Sequence, residues 1–264
     1  MKKSILSMLT LSALILASCG KDDSGDDGGT SQVTIDENNF KGTFTENVTL
    51  EASKVYKLKG PLVMKGGATL TIPAGTRIEA TGQTSSYIAI SQGSKINING
   101  TSSNPVIMTS GETTPAPGDW GGLVICGDAP TNKGGANGET AIAEVSDLVY
   151  GGSDVNDNSG SIRYLRVEYT GATFTNGKEF NGVSLFAVGA GTTFEYIQSH
   201  YGGDDGIEFF GGTVSGKYLS STNSGDDAID FADGWSGTGE NWYIKGVAKA
   251  GVEGSNNGDD GNAM

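Results

Sequence analysis

The 264-residue chain carries 43 glycines, six prolines, and 17 basic against 31 acidic side chains, for a formal net charge of −14. That balance argues against nucleic acid as a partner, because phosphate binding needs a basic footprint, and two cysteines leave no disulfide framework. Cations, cationic ligands and neutral glycans are the partners such a charge admits.

Lys2 and Lys3 open the chain, followed by an apolar run from Ile5 to Leu16 that is shorter than the roughly 20 residues needed to span a bilayer. This order reads as a secretory signal. Its end, Leu16-Ala17-Ser18-Cys19, resembles the lipobox of bacterial lipoproteins, which implies cleavage after residue 18 and lipidation of Cys19, palmitate included. Residues 1–18 are therefore expected to be a signal peptide. Removing them takes Lys2 and Lys3 away and brings the net charge to −16. Residues 19–31 hold the lipidated cysteine and a Gly/Asp-rich tether with too few apolar side chains to fold. Lys21-Asp22-Asp23 looks like the surface-export signal of some Gram-negative lipoproteins. The expected location is the outer membrane, lipid-anchored and exposed on the cell surface.

Residues 32–264 suffice for one all-β domain. Short segments bounded by Gly, Asn, Asp or Ser read as strands: Lys54 to Leu58, Thr69 to Ile72, Tyr87 to Ile90, Lys95 to Asn99, Val106 to Met108 and Leu123 to Ile125. Cys126 follows as a small buried hydrophobe. Residues 111–119 and 127–160, rich in Gly, Pro, Thr and Asn, read as loops or side excursions.

Beyond residue 160 the chain repeats itself. Arg163-Tyr164-Leu165-Arg166, Glu195-Tyr196-Ile197-Gln198, Lys217-Tyr218-Leu219-Ser220 and Trp242-Tyr243-Ile244-Lys245 recur at intervals of 32, 22 and 25 residues. Asn181-Gly182-Val183-Ser184-Leu185, Asp205-Gly206-Ile207-Glu208-Phe209 and Asp227-Ala228-Ile229-Asp230-Phe231 recur at 24 and 22. Two tracks with a period near 22 predict a solenoid, a right-handed single-stranded parallel β-helix. Ile207, Phe209, Ile229 and Phe231 should point inward and Glu208 and Asp230 outward. Tyr164, Tyr196, Tyr218 and Tyr243 should form a ladder.

Gly118-Asp119-Trp120-Gly121-Gly122, Tyr150-Gly151-Gly152 and the run from Gly203 to Gly212, GDDGIEFFGG, resemble a family of Gram-negative surface lipoproteins. The likeness runs from about Lys54 to the end and implies a pectin-lyase-like β-helix without assigning a reaction. Gly258 to Gly261 reads as a further Gly-Asp-Asp-Gly coil cut short at Met264, so the native chain is expected to continue.

Stacking the repeats sets Asp204, Asp205 and Glu208 above Asp226, Asp227 and Asp230. At a strand spacing of about 4.8 Å, two such charges repel by roughly 3 kcal/mol at an effective dielectric near 20. Calcium, which takes several carboxylate oxygens, would turn that repulsion into a clamp. The competing reading has each aspartate accepting backbone amides at a coil corner, and Asn181 in the same column favours it, since an amide does that work uncharged. The acidic loop at Asp154, Asn156, Asp157 and Asn158 lacks the glycine and glutamate of an EF-hand. His200 is the sole histidine, and Arg166 and Lys217 are candidate bases for lyase chemistry. Trp120, Tyr201, Phe210, Trp235 and Trp242 sit near turns, where an aromatic face can stack on a sugar ring or pack over the edge of the core. The expected function is that of a surface-anchored, non-catalytic β-helix lipoprotein for binding, adhesion or scaffolding on glycans or surface proteins. A polysaccharide lyase or glycoside hydrolase of pectin-lyase-like fold is the alternative.

Overall fold

Strict alternation of apolar and polar residues throws every second side chain into a shared interior. Leu70 and Ile72 in Thr69–Pro73, and Ile96 and Ile98 in Lys95–Asn99, are all fully buried while their neighbours are not. The computed structural model describes residues 35–133, 140–175 and 177–256, all within a single compact unit, Gln32–Met264. The signal peptide, Cys19, the tether and the Gly258–Gly261 coil lie outside the described residues.

The strands wind into a right-handed parallel β-helix with three faces. Face 1 stacks Val48–Thr49, Thr69–Pro73, Lys95–Asn99 and then residues 160–163, 193–195 and 216–217, ending on Gly239–Glu240. Face 2 stacks residues 55–58, Arg77–Ala80, Val106–Ser110, residues 165–168, 197–200 and 219–222, and Tyr243–Lys245. Face 3 stacks residues 42–44 and 62–64, Ile88–Ile90, Leu123–Cys126, Val183–Phe186, Ile207–Phe210, Ile229–Ala232 and Val252–Gly254. The predicted strands all form, several of them longer than expected. The inward side chains of the three faces, among them Ile78, Met108, Leu165, Val183, Ile197, Ile207 and Phe209, make one continuous core.

Corners are turned by single residues in the left-handed region. Between faces 1 and 2 these are Tyr164, Tyr196 and Tyr218, with φ of 51°, 59° and 55°. Left-handed backbone costs a non-glycine residue about 1 kcal/mol or more, and stacking offsets it: the rings of Tyr164 and Tyr196 lie 4.4 Å apart, and those of Tyr196 and Tyr218 4.5 Å apart, nearly parallel. Tyr243 is not the fourth rung, contrary to the sequence pattern. Ser220 pairs with Tyr243, and the corner is taken by Asn241 at φ 58°. Asparagine tolerates that conformation, so the register shifts by two residues. Replacing Tyr196 by alanine removes both stacks, each worth about 0.5–1.5 kcal/mol. A lowered urea midpoint with an unchanged slope is the expected result, and an unchanged midpoint would show the ladder to be decorative.

Face 3 is buried on both sides over its middle coils, from Ile88–Ile90 to Ile207–Phe210. Outside the solenoid, between Cys126 and Gly160, the chain forms a short hairpin, Ala141–Ile142 against Val149–Tyr150. Ala143, Val145, Leu148 and Tyr150 pack on the outward side chains Val124, Cys126, Phe186 and Phe210 as a second core. Cys126 is accordingly buried.

Candidate functional site

The outward column of face 3 changes character along the axis. Ala89, Val124, Ser184, Glu208, Asp230 and Glu253 follow one another in register. The apolar end lies under the second core, and the acidic end continues from it. Ile207, Phe209 and Ile229 face inward as predicted and are buried, while Phe231 packs against the core from a half-buried position. Glu208 points outward yet is itself buried.

At the corner entering face 3, Asp205 and Asp227 each bind the next coil. Asp205 Oδ1 accepts the Asp227 amide at 2.8 Å, and Asp227 Oδ1 accepts the Ala250 amide at 2.5 Å. These oxygens form the coil corner. Carboxylate oxygens also converge: Asp204, Asp205 and Asp226 bring one ligand atom each within 4.8 Å of one another, and so do Asp205, Glu208 and Asp230. Asp205 is common to both triads. Asp227 joins neither, and with Asp226 and Glu253 it holds Lys249 Nζ at 3.5, 3.3 and 3.1 Å.

Burial pushes Asp204 up to about 7, with Glu179 and Asp226 adding repulsion. It pushes Asp205 up to about 8, where repulsion from Asp204 and Asp230 adds to it and the Asp227 amide opposes it. Glu208 is held well above the usual carboxylate range by burial, and Asp230 is raised for the same reason. Because the folded state holds protons that the unfolded chain releases near pH 4, this stabilisation is full below that pH. It is lost as pH rises from about 4 to about 8. With chelator present, the melting temperature is expected to fall across that window, and the fall to flatten in Asp205→Asn. A slope unaffected by Asp205→Asn would remove the cluster as its source.

A calcium ion with oxygens at about 2.4 Å spans ligand pairs up to about 4.8 Å apart, so both triads suit one. The fit has a second support: Asn181, only 2 % exposed, donates its amide to Glu208 Oε2 at 2.5 Å and leaves Oδ1 with no hydrogen-bond partner among the described residues, as does Asp230 with its own Oδ1. Asp205, Glu208 and Asp230, with Asp204 and Asp226 beside them, are the residues that would hold the ion.

The aromatic candidates separate. Trp120 is fully buried and donates its indole N–H to the Glu168 carbonyl at 2.8 Å, so it is a core residue and not a surface for sugar. Trp235 and Trp242 donate to the Val214 and Gly216 carbonyls and lean on the core, Trp235 lying 4.7 Å from Phe209. Phe210 stacks on Phe186 at 4.1 Å in the second core. Tyr201 is 42 % exposed, beside Tyr169. His200 lies on face 2 against Thr222, its imidazole pKa lowered by burial and by Arg166. Arg166 pairs with Glu168 and Lys217 with Glu240, both away from the triads. The Asp154 loop is a polar turn: Asp154 accepts the Asn156 amide, and buried Asp157 accepts Ser159 and the Gly189 amide.

Sequence reasoning missed Glu144 and Asp233. Both line a cavity beneath the hairpin with Tyr150, Phe186 and Phe210. The only sequence signal was the alternation around Glu144, between Ala143 and Val145, in a segment read as loop.

A family model described as a pectate-lyase-like β-helix domain matches residues 42–264. No curated protein and no solved structure matches the chain. Parallel strands stacked in register on three faces, together with that match over most of the length, make the chain a member of the pectate-lyase-like β-helix domain family.

Proposed function

We propose that the protein is a lipid-anchored, cell-surface β-helix that binds glycans without turning them over, with calcium clamping its acidic column. The observation that carries the calcium part is the pair of carboxylate triads sharing Asp205. Binding in preference to lyase turnover is supported by where the basic groups go. Arg166 and Lys217 are paired off on other parts of the solenoid, and Lys249 is held by three carboxylates. The anchor rests on Leu16 to Cys19 and on the Lys-Asp-Asp run that follows. Cys19→Ser should release the protein from membranes, and unchanged fractionation would overturn the anchor.

Thermal unfolding of the Cys19→Ser chain with calcium and with chelator tests the clamp. A cation bound at a hundred times its Kd adds about 2.7 kcal/mol, which corresponds to a rise of roughly 5–10 °C for a domain of this size. The rise should vanish in Asp205→Asn. No shift would leave these aspartates as corner formers only, and failure to bind any member of a glycan array would overturn the binding role.

Glycoside hydrolysis is the competing reading, and one observation favours it. Burial holds Glu208 above the usual carboxylate range, as a general acid requires, and carboxylate oxygens of Asp205 and Asp230 lie within 4.8 Å of one of its own. Release of reducing ends, lost in Glu208→Gln, would establish it.

A further inference from the structure

The two carboxylate triads share Asp205, so an ion on one competes with an ion on the other. Their surroundings differ. Among the described residues, only the Asp204 triad has a cation on it: Lys249 Nζ lies 3.3 Å from Asp226 Oδ2, and it also pairs with Asp227 and Glu253 at 3.5 and 3.1 Å. Its ion pairs stop there and reach none of Asp205, Glu208 and Asp230.

The backbone delivers this lysine to the acidic column. The Lys249 amide donates to the Asp226 carbonyl at 3.1 Å, and the Ala250 amide donates to Asp227 Oδ1 at 2.5 Å. The Ala250 carbonyl in turn accepts the Ala228 amide at 3.0 Å. With the segment pinned to the preceding coil, only the side-chain torsions of Lys249 remain to be fixed. The side chain is 57 % exposed, so each pair by itself is weak. A tethered group, however, meets its partner at an effective concentration of roughly millimolar, and a free cation has to outcompete that to take Asp226. The Glu208 triad has no such competitor, and a buried group beside it points to a ligand. Asn181, 2 % exposed, donates to Glu208 and keeps Oδ1 without a partner among the described residues. Calcium takes about six to eight oxygens, carboxamide oxygens included.

We infer that Lys249 is a tethered counter-ion that reserves the Asp204 triad, so that the column takes a single calcium ion, at Asp205, Glu208 and Asp230. Removing the ammonium uncovers a second divalent-cation site on Asp204, Asp205 and Asp226. This rests on the calcium reading and is independent of glycan binding.

Calorimetric titration of the Cys19→Ser chain with calcium chloride reads both stoichiometry and affinity. One ion is expected in that chain and in Lys249→Arg, which keeps the charge. Two are expected in Lys249→Met and in Lys249→Gln, the second of which keeps a hydrogen-bond donor on the column, and a thermal melt of each variant confirms folding. With Lys249 in place, Glu208→Gln should weaken binding at least about fivefold more than Asp204→Asn does, because affinity follows the charge of the ligands. That comparison needs no lysine variant to fold. More than one ion in the Cys19→Ser chain, a single ion in folded Lys249→Met or Lys249→Gln, or a loss in Asp204→Asn equal to or greater than that in Glu208→Gln would overturn the inference while calcium binding stands. No calcium binding by the Cys19→Ser chain would overturn the clamp and the inference together.

Discussion

Gly160→Ala is expected to abolish the folded state. Gly160 opens the strand Gly160–Glu168, has φ of 119°, and pairs with Ile96 on the preceding coil of face 1. An added Cβ would be driven into the Ile96 backbone, carbonyl oxygen first. Neither partner can retreat: Ile96 donates to the Ser159 carbonyl and Ile98 sits opposite Ile162 in the buried ladder. Relief would mean opening the seam between coils, at a cost above about 4 kcal/mol, a large share of the roughly 5–15 kcal/mol that holds a domain together. Gly93→Ala is the matched control. Gly93 has φ of 79°, yet its added Cβ meets nothing within 4 Å among the described residues, so only the backbone penalty of about 1–2 kcal/mol applies. Urea unfolding of both should show a lowered midpoint for Gly93→Ala and no cooperative transition for Gly160→Ala. A native-like midpoint for Gly160→Ala would mean that the coils are not packed in this register.

Glu208→Gln should raise stability in chelator at pH 8 and weaken the response to calcium. Glu208 is buried on the outward side of face 3, with Asp205, Asp230 and Glu144 repelling its charge and the Asn181 amide opposing that in part. Glutamine keeps the size and can accept the same bond from Asn181, while the cost of a buried charge disappears. A gain of about 1 kcal/mol or more corresponds to a melting temperature roughly 3 °C higher. The calcium-induced rise should shrink, because one triad loses a charged ligand. A lower melting temperature in chelator would show instead that the carboxylate is compensated within the fold.

The solenoid was legible because its signals are local. Alternation in Thr69–Pro73 or Lys95–Asn99 needs no partner to be read. The 22-residue interval carried the register of face 3 correctly, setting Ile207 against Ile229 and Glu208 against Asp230. The acidic column was legible for the same reason, since in a parallel stack equal positions in successive coils become neighbours. Pattern matching failed at Trp242 to Lys245. There the likeness to the tyrosine repeats aligned Tyr243 with Tyr218, but the corner needs a left-handed residue, and Asn241 meets that need two positions earlier.

Tertiary structure decided what covers what. Trp120 and Phe210 look alike in sequence as aromatics beside glycine turns, yet one fills the solenoid core and the other a second core that exists because Ala143, Val145, Leu148 and Tyr150 fold back over face 3. That excursion has no repeat, and only the short alternation around Glu144 hints at its contacts. It is also what sets Glu144 and Asp233 in one cavity and contributes the Glu144 charge that raises Asp204 and Glu208. Sequence by itself determined the winding of the chain and which carboxylates share a column, because strand period and repeat length act between neighbours. Only the tertiary structure decided which of those carboxylates are desolvated, because the loss of water depends on segments distant in sequence coming to lie over them.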